Sequence, residues 1–153
     1  MLRASLSENN MRKDFFSIID EQSQSIALIG MPGSGKSTIG KLLAKSLGWQ
    51  FVDTDDQIQL QAGVCLQDIL DQSGYLSLRE LEETTLCKML IRRRTVVATG
   101  GSAVYSKKAM RHISRNTIII YLQASVPTLL NRIDNLDNRG IACKPNQTFE
   151  DLF

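Results

Sequence analysis

Apolar and polar positions along the chain change their period several times, and each change marks an element boundary. "SIALIG", Ser25 to Gly30, is a short apolar run closed by glycine, the form of a buried strand. "KSTIGKLLAKSLG" then takes helical spacing, with Gly48 placed as a C-terminal stop. "WQFVD" reads as a second strand, and "DQIQLQAG" and "LQDILDQSG" as short helices. "YLSLRELEETTLCKMLIRRR" reads as a long helix with its charges on one side. "TVVATGG" and "NTIIIYL" are two further β-branched runs ending in glycine or polar residues, hence two more strands. Helices separate all four strands. That alternation predicts right-handed βαβ units and a mostly parallel central sheet flanked by helices, an α/β class that binds ligands beyond the carboxyl ends of its strands. Residues 1–24 are polar and mixed in charge, with "MRKDFFSIID" reading as a short amphipathic helix, and the regular pattern of 25–153 forms one domain.

Composition narrows the functions open to this domain. With 153 residues and 42% hydrophobic content the chain can bury one sizeable core. Eighteen Lys and Arg against sixteen Asp and Glu leave a net charge of +2, too near balance to argue for nucleic acid or a membrane surface as the main partner. No apolar run approaches the roughly 20 residues needed to cross a bilayer, and the first residues lack a secretory signal's continuous apolar stretch, so a soluble cytoplasmic protein is expected. Cys65, Cys87 and Cys143 are odd in number and widely spaced, which predicts reduced thiols rather than disulfides or a metal site.

Charged chemistry must therefore be local, and Gly30 to Ser37, "GMPGSGKS", supplies it. The segment matches GxxxxGK[ST] and lies between a predicted strand and a predicted helix, as that motif requires. Its glycines let consecutive backbone N–H groups turn inward, and the following helix aims its positive end at phosphate. Lys36 can reach β/γ oxygens and Ser37 can ligate Mg²⁺. Gly33, Ser34, Gly35, Lys36, Ser37 and Thr38 are accordingly candidates for binding ATP, within a three-layer P-loop NTPase fold. The alternative is a glycine-rich turn that binds nothing.

"FVDTDD" follows closely with three acids, Asp53, Asp55 and Asp56. If the strand continues through them, period 2 puts Asp53 and Asp55 on one side facing the crevice, while Asp56 suits the cap of the next helix. Two carboxylates near a triphosphate are tolerable when a cation or hydroxyl donors intervene, as Mg·ATP and a polyol provide. "TVVATGG" ends in Thr99 and glycines with no acid, so Asp53 is the candidate Mg²⁺ aspartate, alongside Ser37. The competing reading is that all three acids are solvated turn residues.

Taken in order, "GMPGSGKST", "FVDTDD", "SLRELEE" and "TGGSAV" resemble the shikimate kinases, small members of the nucleoside monophosphate kinase-like P-loop kinases, from about Ile26 onward. The resemblance implies ATP-dependent phosphorylation of the 3-hydroxyl of shikimate, a step of aromatic amino-acid synthesis. It gives Asp53 the role of holding Mg²⁺ through water and Asp55 that of accepting the substrate's ring hydroxyls. Arg79 would clamp the substrate carboxylate, and Gly101, within Gly100-Gly101, would offer a backbone N–H. Arg79 sits beside Glu80, Glu82 and Glu83, which could instead make it one more solvated surface charge. The family's third glycine is replaced by Ser102.

The segment beginning "VPTLLNR" starts as a helix and becomes polar, resembling the family's lid at about 135–147. Arg139 resembles the lid arginine that closes over ATP, and Arg132 one that stacks on adenine or touches phosphate. Proline usually follows the lid arginine, whereas "NRGIACKP" has glycine. Family members continue through a further helix carrying a second arginine, a strand and a last helix beyond the point matching Phe153, so the chain is expected to be a fragment or a natural truncation. On this reading Lys36, Mg²⁺ and Arg139 stabilise phosphoryl charge and Asp55 orients the attacking hydroxyl, in a monomer whose partners are ATP and shikimate. A gluconate kinase-like enzyme and a catalytically weak nucleotide-binding module are the alternatives.

Overall fold

The structure, a computed structural model, describes residues 25–133 together with Ile141. The amphipathic reading of 1–24, Arg139, Cys143 and nearly all of the lid segment lie outside the described residues. Strand β1 (Ser25–Ile29) leads through the glycine loop into helix α1 (Lys36–Leu47), and β2 (Gln50–Asp53) runs directly into α2 (Thr54–Ala62). Then come α3 (Leu66–Lys88), β3 (Thr95–Ala98), a 3₁₀ turn (Ala103–Tyr105), α4 (Lys107–Asn116), β4 (Thr117–Tyr121) and α5 (Val126–Ile133). The described strands form one parallel sheet in the order β2-β3-β1-β4. The expected α/β architecture is what is found.

β1 is central, and both its faces are buried, which explains its unbroken apolar run. Ile26 and Leu28 pack with Ala44 and Val96 on one side, while Ala27 packs with Leu86, Ala103, Ala109 and Ile113 on the other. Helix α1 lies close enough to the sheet that only glycine fits at position 40, where a Cβ would come within 2.6 Å of the Phe51 ring and 3.2 Å of Leu28. That close approach seats the start of α1 over the end of β1. Gly48 ends the helix as the sequence predicts, in the left-handed region with its N–H directed to the Ala44 and Lys45 carbonyls.

The two helices expected on either side of Gly74 are both found, joined end to end as α3 through a kink at which Gly74 is non-helical, φ 78°, ψ 171°. One boundary differs from the sequence reading. α3 stops at Lys88 instead of continuing through the arginines, because Met89 turns extended and Arg94 takes a left-handed φ of 59° to bring the chain into β3. Ser25 Oγ fastens that connection by donating to the Arg92 carbonyl and accepting from the Thr95 N–H, at 2.6 and 3.1 Å. Among the described residues no helix is long and apolar enough to cross a membrane.

Candidate active site

The carboxyl ends of the strands surround a cavity of about 800 Å³, within the range of small-ligand sites. One wall is the loop between β1 and α1. Gly30, Gly33 and Gly35 all take positive φ there. At Gly30 a side chain would also strike the Leu122 carbonyl at 2.6 Å, so the turn is available to glycine alone. Ser34 N–H closes the loop onto the Met31 carbonyl at 3.1 Å. Lys36 Nζ is buried and donates to the Gly30 and Met31 carbonyls at 2.8 and 2.9 Å. Burial pushes its ammonium below the ordinary value, while the charges of Asp55, Glu82 and Asp53 push back. Gly33 to Thr38 all line the cavity, and Arg132 reaches across its mouth to donate to the Gly33 carbonyl at 3.1 Å.

The acids gather beside Lys36 by a different route from the one expected. The strand ends at Asp53, and Thr54 already begins α2, so Asp55 lies in a helix's first turn instead of an extended strand. The cap is Asp53, not Asp56: Asp53 Oδ1 accepts the Asp55 N–H at 3.1 Å, whereas Asp56 is exposed. The physical reason is that the cap must precede the first free N–H groups, and those belong to 54–56. Asp55 lines the cavity, while Asp53, buried just behind it, does not.

Glu82 is a site residue that no motif singles out: a near neighbour of Arg79 in the sequence, it is 5% exposed and lines the cavity. Ser102 Oγ donates to its Oε2, and its Oε1 has no hydrogen-bond partner among the described residues. The signal was present in the spacing: Leu78, Glu82 and Leu86 recur every fourth position on one buried stripe. A carboxylate in an apolar stripe points inward. Burial pushes Glu82 up to about 7; Ser102 draws it down, Asp55 adds to the rise and Lys36 opposes it.

This shift predicts a pH dependence of the ligand-free protein. An unfolded glutamate titrates near 4.5, so between that value and about 7 the folded state holds more protons than the unfolded chain, and stability falls as pH rises through the window. The contribution amounts to at most about 3 kcal/mol. Urea unfolding between pH 5 and pH 8 should show this decline in wild type and a markedly shallower one in Glu82→Gln. Equal slopes would assign the pH dependence elsewhere.

Two further expected residues stand back from the cavity surface. Gly100 gives its N–H to Thr54 Oγ1 at 2.9 Å and sits so close to Glu82 and Asp55 that any side chain would strike both, whereas Gly101 lines the cavity. Arg79 lies on α3 behind the lining, its guanidinium carbon 5.3 Å from the Tyr75 ring centroid and 4.5 Å from that of Tyr105. Tyr105 does line the cavity, another residue the sequence did not single out. Among the described residues no cluster of three or more His, Cys, Asp or Glu could hold a metal by itself.

The shikimate kinase family model matches residues 32–152. The chain belongs to the shikimate kinase family. It is 40% identical over 116 residues to a shikimate kinase of Chlorobium chlorochromatii, covering 76% of this chain and 61% of the relative. It is 35% identical over 130 residues to that of Persephonella marina, with 85% and 79% covered. Among solved structures, shikimate kinase from Acinetobacter baumannii in complex with shikimate superposes with a TM-score of 0.72 at 32% identity, over 76% of this chain and 65% of that one. The chain thus spans less than two thirds of the length of the first and last of these relatives. Family membership agrees with the architecture and with the order in which the glycine loop, acids, Arg79 and glycine pair follow one another.

Proposed function

We propose that this member of the family transfers the γ-phosphoryl group of ATP to the 3-hydroxyl of shikimate. The observation that carries the reading is that Lys36, the glycine loop, Asp55 and Glu82 all line one cavity, which supports a donor and an acceptor meeting there. In the transfer, the bond between the γ-phosphorus and the bridging oxygen to the β-phosphate breaks, and a bond from the substrate oxygen to that phosphorus forms. The hydroxyl proton passes to the Asp55 carboxylate, and ADP leaves. Little covalent work falls to the protein, so its part is positioning and charge stabilisation. Lys36, released from the Gly30 and Met31 carbonyls, follows the charge that develops on the phosphoryl oxygens. The backbone N–H groups of Gly33 to Thr38 take the rest of the polyphosphate. Arg132, already over the loop, covers the nucleotide, and Arg79 holds the shikimate carboxylate with Gly101 beside the ring. Gly100 supports that turn through Thr54. Arg139 is assigned the closing role over ATP by resemblance alone.

Mg²⁺ fits the residues present. It takes hard oxygen donors, keeps several waters and needs only one or two protein groups when phosphates supply the rest, so a self-sufficient cluster is not required. The Ser37 hydroxyl and the buried Asp53 carboxylate would hold it, Asp53 through water. When bound it neutralises charge on the β and γ oxygens. A cytoplasmic monomer, where ATP and Mg²⁺ are at hand, completes the reading.

The test is a coupled assay of ADP release across hydroxy acids and polyols. Shikimate should stimulate release at least about 100-fold more efficiently than gluconate, since a site built around a fixed carboxylate and a hydroxyl set rejects acceptors lacking that geometry. Preference for gluconate would move the chain to another acceptor. ATP binding with no acceptor-dependent release would make it a nucleotide-binding module.

A further inference from the structure

Arg79 is held in an unusual way for an arginine on a helix rich in glutamate. Two nearby acids on its helix are engaged elsewhere: Glu82 accepts from Ser102, and Glu83 from Ser106 at 2.5 Å. Among the described residues no carboxylate pairs with Arg79, and its Nε is buried without a hydrogen-bond partner. What holds the guanidinium is aromatic. Tyr75, four residues earlier and just past the break at Gly74, lies on the same helix face, and Tyr105 arrives from the 3₁₀ turn after the glycine pair. A carboxylate partner would occupy N–H donors of the fork; a ring face attracts the cation and leaves all five donors available.

We propose that Tyr75 and Tyr105 are positioning residues that keep Arg79 aimed without drawing on its N–H donors, so that these serve the planar carboxylate of the acceptor, with Tyr105 also forming the cavity wall against which that acceptor's ring rests. This rests on the reading of Arg79 as the carboxylate clamp. Two features of the chain make it a specific arrangement. Tyr105 is 54% exposed, so its ring is placed where a ligand can reach it. Its ring touches Arg79 while also lining the cavity, from whose lining Arg79 itself is set back. An orphaned buried N–H is a standing cost that an incoming carboxylate oxygen removes.

The experiment combines steady-state kinetics with the side-chain Nε–H resonance of Arg79. Tyr105→Leu should raise KM for shikimate about 3- to 10-fold and leave KM for ATP within about twofold, as expected for loss of one partly exposed cation–π contact. Tyr105→Phe, which keeps the ring, should restore most of the affinity. In an Arg79→Ala background, Tyr105→Leu should add less than about twofold, because its effect passes through the arginine. Undiminished loss in that background, an equal rise in KM for ATP, or equal damage from Tyr105→Phe would overturn the proposal. The resonance separates this from the functional reading. If wild type releases no ADP with shikimate, the kinase reading falls. The positioning role then stands if the Arg79 signal carries a ring-current shift that Tyr105→Leu removes and moves on adding benzoate, and falls if the signal is unshifted or indifferent to the carboxylate.

Discussion

Replacing Lys36 with alanine should lower turnover by about 100- to 1000-fold, the loss expected when one preorganised donor is removed from developing charge. The ligand-free geometry shows how it is stored. Nζ is anchored on two loop carbonyls within 3 Å and surrounded by the charges of Asp55, Glu82 and Asp53, so it is held beside the phosphate cradle before any nucleotide arrives. Its removal also leaves three acids with less compensation, and Glu82, already pushed up to about 7, is the group placed to absorb this by taking a proton. The variant should therefore remain folded at neutral pH. Turnover by coupled ADP release, with circular dichroism and thermal unfolding on the same sample, checks both parts. A folded variant within about tenfold of wild type would remove Lys36 from the phosphoryl-transfer role.

On the acceptor side, Asp55→Asn should lower kcat by about 100- to 10,000-fold, the span typical of a lost general base, with KM for ATP nearly unchanged. The substitution keeps the side chain's shape in the first turn of α2, so the loss would report on proton acceptance and orientation, not packing. Arg79→Ala should act differently, raising KM for shikimate by about 30- to 1000-fold, as truncation of one partner of a hydrogen-bonded charge pair costs about 2–4 kcal/mol. Full kinetics with each substrate varied in turn separate the two signatures. Equal loss of ATP affinity in both variants would place Asp55 and Arg79 at the nucleotide instead.

Much of this site was legible because its parts are local. A strand, a glycine loop and a helix start are contiguous from Ser25 to Leu47, and sequence spacing alone describes them. The acids at 53 to 56 were found for the same reason, though their geometry was misjudged. Whether β2 runs on or turns helical at Thr54 depends on Thr54 being buried, with its hydroxyl accepting the Gly100 N–H, and that partner is 46 positions away. Glu82, Ser102 and Tyr105 were missed because their importance comes from contacts between α3 and the turn after β3. Tyr105 carries no motif, and nothing in the string "SAVYSKK" announces a ring beneath Arg79.

The strand order bears on how the site comes into being. Every ladder joins residues far apart in the chain, Ile26 with Val96 and Ile118, Phe51 with Val96, so no strand pairing can be closed by a short hairpin. Topologies of this kind fold slowly, since large loops must close before any ladder is gained. The glycine loop depends on the last of these closures, because Leu122 N–H bonds the Ile29 carbonyl at 2.8 Å and the Leu122 carbonyl sets the space around Gly30. During refolding, nucleotide affinity would therefore emerge only after β4 has docked, and a nascent chain synthesised as far as α1 would carry the whole phosphate motif without yet having a place for phosphate.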